Sequence, residues 1–367
     1  MAPPTTLLWE RDPHTAAKHQ LLSRYLQAWF PIVARYSKGG VTYVDGFAGP
    51  GKYTNSDESS PTIALGQARR TEVAKWANPL RLVFLEAHAG RADHLRSLFQ
   101  ENYPDGALPA LLEVEVAHGT CEDDLLPILD RVGAWSGPVF ANLDGWGVDT
   151  PFHVVQRIAE NDSSEVLVTF ADAFFKRFAT LKDNVAGDKV FGDAHWRKVA
   201  DLPTPEKRPF LVAEYRERLH RIGLEHTLTF EMIDEGGHTL FLIFGTSNLA
   251  GVEKMKDALW KVDAGAGQRF RDPKDQGQLF FTFDKPDFTS LKKDLIGQML
   301  DGQQNLHDLG AYTLAETVYK RSHAKTAMDL LVEDKIAEQV STGRTATAKV
   351  YKLTNGGAPQ EQQSSLF

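Results

Sequence analysis

Five short apolar runs, each ended by turn residues and separated by helix-like stretches, constrain the fold of this chain more than any other feature. They are Val41–Phe47 (VTYVDGF), Leu80–Ala87, Leu112–Gly119, Pro138–Asp144 and Glu165–Ala171, with helical patterning at Ala89–Phe99 and Cys121–Val132. Runs that lack a polar face are buried on both sides, and strands alternating with helices then give a parallel α/β sheet. Two further runs flank Gly236 and Gly237 and read as an antiparallel hairpin. Ahead of the sheet, Thr15–Tyr36 has the period of one long amphipathic helix.

A polar, glycine-bearing stretch over 264–278 marks a boundary, so residues 1–265 are expected to form the α/β domain. Helical patterns at Phe288–Asp301, Leu314–Arg321 and His323–Asp334, then a β-ribbon turning at Ser341–Arg344, predict a winged helix-turn-helix over 280–355. Residues 356–367 (GGAPQEQQSSLF belongs to this end) read as a flexible tail.

Composition narrows the class. No run approaches the about 18 apolar residues of a membrane span, and the opening MAPPTTLLWERDPH lacks the basic and apolar regions of a secretory signal, so a cytoplasmic location is expected. One cysteine, Cys121, forms no intrachain disulfide, and the 12 histidines lack paired metal-ligand spacing. A net charge of −8 argues against a surface coated for indiscriminate nucleic-acid binding, though not against a local basic patch.

The stretch VTYVDGFAGPGKY (Val41–Tyr53) carries the strongest chemical signal. Gly46–Tyr53 nearly fits a phosphate-binding P-loop, but Tyr53 stands where a magnesium-ligating hydroxyl belongs, and Asp45 faces a triphosphate with the wrong sign. A purely structural glycine turn is a further alternative. An acid, a glycine turn and a second acid on the next strand, Glu86, instead suit S-adenosyl-L-methionine, which carries cationic groups and ribose hydroxyls but no phosphate. On this reading Asp45, Gly46, Phe47, Ala48, Gly49, Gly51 and Glu86 bind the cofactor, with Thr120 and Cys121 beside its adenine. Five parallel strands closed by a hairpin resemble the sheet plan of Rossmann-like S-adenosylmethionine-dependent methyltransferases.

The chain also resembles the three-Cys-motif partner proteins of bacteria, through KHQLLSRYLQAWF (Lys18–Phe30), YVDGFAGPGKY, SPTIAL (Ser60–Leu65) and MKDALWKVD (Met255–Asp263). That resemblance covers roughly Trp9–Asp263 and implies a methyltransferase-like fold and a radical-type partner protein with a three-cysteine motif. It also leads one to expect Asp-Pro-aromatic-Gly after the fourth strand, where this chain has Asp144, Gly145, Trp146 and Gly147. Asp144 and Trp146 are the candidate acceptor-site residues, the carboxylate taking an amine's hydrogens and the indole stacking on a flat substrate. Lys18 and His19 are placed to reach the cofactor's carboxylate. Lys176 and Arg177 read equally as phosphate ligands or solvated charges, and His88 and His118 as hydrogen-bonded loop residues.

In the C-terminal part, Ser322 is the expected helix cap, with His323, Lys325 and Thr326 facing a DNA groove and Lys320, Arg321, Arg344 and Lys349 on phosphates. The terminal QSSLF resembles the short bacterial motif that binds the replicative sliding clamp, through Gln363, Ser365, Leu366 and Phe367. Together these readings predict a methyltransferase-like protein of bacterial DNA repair or modification. The alternative is a non-catalytic DNA- or partner-binding module that keeps the cofactor fold.

Overall fold

The computed structural model describes residues 5–70, 77–104, 108–145, 148–181, 183–234, 236–271, 286–341 and 343–354. The chain divides into two compact units, Met1–Lys254 with Arg269–Gln278 and Met255–Gln268 with Leu279–Phe367. The boundary therefore falls earlier than the polar stretch suggested, since Trp260 and its neighbours pack into the second unit's core. Among the described residues no helix is long and apolar enough to cross a membrane.

In the first unit the chain runs through α1 (Pro13–Tyr36), β1 (Val41–Asp45), α2 (Ser60–Arg70), β2 (Leu80–Glu86), α3 (Ala89–Asn102), β3 (Leu112–His118) and α4 (Leu125–Arg131). It continues through β4 (Val139–Leu143), α5 (Phe152–Ala159), β5 (Glu165–Phe170), α6 (Asp172–Phe178), α7 (Ala186–Phe191) and α8 (Thr204–Arg221). The hairpin β6 (His226–Ile233) and β7 (Thr239–Thr246) follows, then α9 (Leu249–Val262), which crosses the unit boundary, and β8 (Arg269–Arg271).

These strands form one sheet in the order β3-β2-β1-β4-β5-β7-β6-β8, with β1 to β5 parallel and β7 antiparallel to both neighbours. This is the expected mainly parallel α/β sheet closed by a hairpin. Every residue of β1, β4 and β5 is buried, as strands covered on both faces must be. Successive side chains point to opposite faces. Val44, Ala141 and Val168 join one aliphatic core, while Tyr43, Phe84 and Phe140 form an aromatic layer with Tyr25, Trp29 and Phe30 of α1.

The start of α1 is fixed by Asp12, whose side chain accepts from the Thr15 amide at 2.7 Å, followed by Pro13 in the first turn. β8 had no sequence signal; it adds three residues beside β6 in the stretch read only as a boundary.

The second unit contains α10 (Thr289–Gln298), β9 (Gln304–Asn305), α11 (Leu306–Glu316), α12 (His323–Glu333), β10 (Ala337–Gln339) and β11 (Val350–Leu353). Its three strands pair antiparallel in the order β10-β11-β9. The middle helix lies at Leu306–Glu316 rather than at Leu314–Arg321. Asn305 caps it by accepting from the Asp308 amide at 2.9 Å, and the ammonium of Lys256 gathers the carbonyls at its other end. That ammonium donates to Leu314 O and Thr317 O at 2.5 Å each, Tyr319 O at 3.1 Å and Thr313 O at 3.4 Å. Trp260 donates to Val318 O at 3.1 Å, so the stretch MKDALWKVD serves the second unit's packing.

Candidate functional site

The strands are laid outward in both directions from β1, with β2 on one side and β4 on the other. A crevice opens at the carboxyl ends of strands where such an order reverses. Here it is a cleft of about 1030 Å³, lined by the turn Gly46–Tyr53, Glu86, Thr120, Cys121, Asp144 and Thr169 among others.

The turn after β1 is built on two carboxylates with different places. Asp45 is fully buried and does not line the cleft. It accepts from the Phe47 amide at 3.1 Å beneath the turn, and burial lifts its pKa to about 6 against the hydrogen bonds of Ser60 and Phe47. Its place is therefore the underside of the turn, not the ligand side. Gly49 and Gly51 hold φ of +67° and +89°, conformations that side-chain-bearing residues rarely adopt. A Cβ on Gly51 would also stand 2.6 Å from Leu95.

Glu86, at the end of β2, does line the cleft. One oxygen accepts from the Gly49 amide at 2.9 Å and the other from the His88 amide at 2.8 Å. An ionised carboxylate has about four lone-pair sites, so it can accept further hydrogen bonds.

Asp144, after β4, is held by Lys18 of α1 at 2.6 and 2.8 Å and by the Thr169 hydroxyl. Burial works against its charge, but Lys18 and then Thr169 outweigh that and keep its pKa below the usual value. Lys18 therefore serves Asp144. The neighbouring His19 is buried on the cleft wall, its Nδ1 without a hydrogen-bond partner and its ring 5.7 Å from Tyr53. Burial, then Lys18, lowers its pKa to about 3, so the imidazole is neutral. Gly145 has a packing reason: a Cβ there would meet the Phe47 ring at 2.9 Å, so a proline would displace that ring. Trp146 lies outside the described residues.

Thr120 and Cys121 both line the cleft. The Thr120 amide donates to Asp124 at 2.7 Å, α4 starts at Leu125 rather than at Cys121, and burial pushes the Cys121 thiol up to about 12. His118 contacts the Ala87 carbonyl at 3.1 Å, and the His88 amide serves Glu86. Lys176 pairs with buried Asp172 at 2.7 Å, and Arg177 is exposed.

In the second unit His323 is a core residue. Its ring stands 4.4 Å from Trp260 and 5.2 Å from Phe288, so it does not face a groove. Apolar surroundings in the first turn of α12 draw it inward. Ser322 occupies the cap position but makes no side-chain cap bond. Lys325 pairs with Asp329 at 2.5 Å and Lys320 with Asp257 at 3.7 Å, while Thr326 and Arg344 are exposed and Lys349 and Arg321 half-buried. Gln363, Ser365, Leu366 and Phe367 lie outside the described residues.

Sequence reasoning missed Trp9, Tyr53 as a cleft residue, and Arg91. Trp9 precedes all regular structure and carries no periodicity. Arg91 had a usable signal, lying in the first turn of the helix that follows Glu86.

No protein-family model matches the chain, and no curated protein does. Solved structures similar to it include EvdMO1, at 10% identity and TM-score 0.33 over 63% of this chain and 42% of that one. The chain thus spans less than half the length of EvdMO1. An O-methyltransferase from Bacillus cereus in complex with SAH aligns at 13% identity and TM-score 0.32, covering 65% of this chain and 82% of that one. Trm1 from Pyrococcus horikoshii with S-adenosyl-L-methionine aligns at 13% identity and TM-score 0.37, covering 100% of this chain and 96% of that one. The strand order, rather than these likenesses, establishes the fold.

Proposed function

We propose that the cleft binds S-adenosyl-L-methionine and that the chain is a methyltransferase-like protein. The observation that carries this is Glu86, an acceptor-only group at the cleft wall that also holds the Gly49 amide. It suits ribose hydroxyls and repels phosphate. Thr120 and Cys121 would flank the adenine, and Asp144 would lie at the acceptor end. Bound there, S-adenosylmethionine would supply an activated methyl group. The chain's own contribution is to hold an acceptor near contact distance, worth up to roughly 7 to 11 kcal/mol of a barrier. Ionised by Lys18, Asp144 would accept a hydrogen bond from the acceptor's N–H and orient it, the proton released on transfer passing to water.

Calorimetry should show S-adenosylmethionine binding to the wild type. Glu86→Ala should weaken it by about 1.5 to 3 kcal/mol, roughly 10- to 150-fold. Binding of magnesium ATP without binding of the methyl donor would overturn the reading. With labelled donor and DNA or a protein as acceptor, Asp144→Ala should abolish transfer yet leave donor binding intact. Loss of both would move Asp144 into the donor site.

We place this activity in bacterial DNA repair or modification, beside a three-Cys-motif radical-type protein. The second unit's order of helix, short strand, two helices and antiparallel ribbon supports a winged helix. With His323 in its core, DNA contact rests on Lys320, Arg321, Lys325, Arg344 and Lys349. The tail's QSSLF would add tethering to the sliding clamp. A non-catalytic binding module is the second reading, favoured by Gly145 and by the closure of Lys18 on Asp144.

A further inference from the structure

We propose that Thr6–Asp12 is a strap over the donor end of the cleft, in which Trp9 forms a ligand-covering wall and Arg91 positions it. This inference rests on the cleft binding an S-adenosyl ligand. It adds a binding residue and a moving part that the acid-glycine-acid arrangement does not contain.

The strap has no regular structure, yet Trp9 and Arg11 tie it to the residues just after the glycine turn. The Thr54 amide donates to Trp9 O at 2.9 Å. The Arg11 amide donates to Asn55 Oδ1 at 2.8 Å, and Asn55 returns a hydrogen bond to Arg11 O at 3.1 Å. Arg11 also pairs with Glu58 at 2.8 Å. Asp12 then caps α1, so the strap ends at a fixed point.

Trp9 is the strap's contribution to the cleft. Its Cη2 lies 3.7 Å from where a Cβ on Gly49 would stand, and the Gly49 amide is the group bound to Glu86. Tyr53 meets the indole edge-on at 5.6 Å. The Arg91 guanidinium lies over the indole at 4.9 Å, reaches to 3.9 Å from Glu86, and donates to Thr6 O at 2.9 Å. One side chain thus links the strap, its indole and the carboxylate that would hold the ribose.

This placement has a physical effect. An apolar cover beside Glu86 excludes water, and hydrogen bonds to a carboxylate strengthen as the local dielectric falls. The ties are one backbone hydrogen bond, a bond from the buried Arg91 and a few exposed or half-buried side-chain bonds and ion pairs, each weak enough singly for the strap to open. A ligand seated against Glu86 would favour the closed form by adding contact with Trp9.

The test uses the full chain. In calorimetry with S-adenosylmethionine, Trp9→Ala should raise Kd by about tenfold or more, since the half-buried aromatic wall against the ligand is lost. Trp9→Phe should stay within about threefold of wild type. In hydrogen exchange of the wild type, the amides of residues 5–12 should exchange more slowly once the ligand is added. That measurement decides the matter if Trp9→Ala does not fold. If wild type binds the ligand while Trp9→Ala binds equally well, or the strap's exchange is unchanged, the strap inference is overturned and the donor reading stands. If wild type binds no S-adenosyl ligand, both fall together.

Discussion

Lys256→Met is expected to cost the second unit about 3 kcal/mol or more, because it leaves several buried helix-end carbonyls unsatisfied at about 1 to 3 kcal/mol each. A helix ends with four carbonyls that have no partner within it, and a cation there also meets the negative end of the helix dipole. At the end of α11 one ammonium reaches Leu314 within the last turn and Thr317 and Tyr319 just beyond it. Lys256 is only 1% exposed, and burial lowers its pKa to about 8, which leaves it charged at neutral pH. Methionine matches the length of the side chain but donates nothing. Hydrogen exchange across α11 and α12 in the full chain should show the loss. A change under about 1 kcal/mol would mean that water replaces the ammonium.

Glu165→Gln should stabilise the first unit in a pH-dependent way. Burial pushes this carboxyl up to about 7, despite hydrogen bonds from Tyr25 at 2.5 Å and Thr246 at 2.8 Å. A raised folded-state pKa means that its contribution is full below the unfolded value of about 4.5 and is lost as pH rises through 7. Glutamine keeps an acceptor for Tyr25 and never ionises. The two proteins should therefore be close in stability near the unfolded pKa and diverge as pH rises. At pH 8 the variant should lead by roughly 3 kcal/mol, the worth of a shift of that size. Melting curves of both proteins across this range test it, and parallel dependence on pH would refute the assignment of charge.

These two groups also mark the limits of the sequence as a guide. The strands were legible because burial on both faces writes unbroken apolar runs, as in VFANL of β4. Glu86 was legible as a cleft residue because it ends such a run. What escaped were features decided by distant partners. Glu165 also starts an apolar strand, but its role depends on Tyr25 and Thr246, far off in the chain. α11 was misplaced because it starts directly after Gln304–Asn305, a two-residue strand defined only by its pairing with distant Val350 and Tyr351. His323 reads as a surface cation until Trp260 and Phe288 are seen to enclose it. The strap holding Trp9 carries neither the period of a helix nor that of a strand.

Asp45 has a bearing on how kinship among such chains is traced. Its carboxylate sits under the glycine turn, where it accepts from the Phe47 amide and from buried side chains such as Tyr43. On the proposed reading of the cleft, a descendant that abandoned its ligand would still need this acid, and the hold of Glu86 on the Gly49 and His88 amides, to keep the loop in shape, whereas Trp9 would be released to drift. A search keyed on DGFAGPG would therefore gather every inheritor of the scaffold, working or retired. On the same reading, one that also demands a tryptophan ahead of the first helix would gather those still in use.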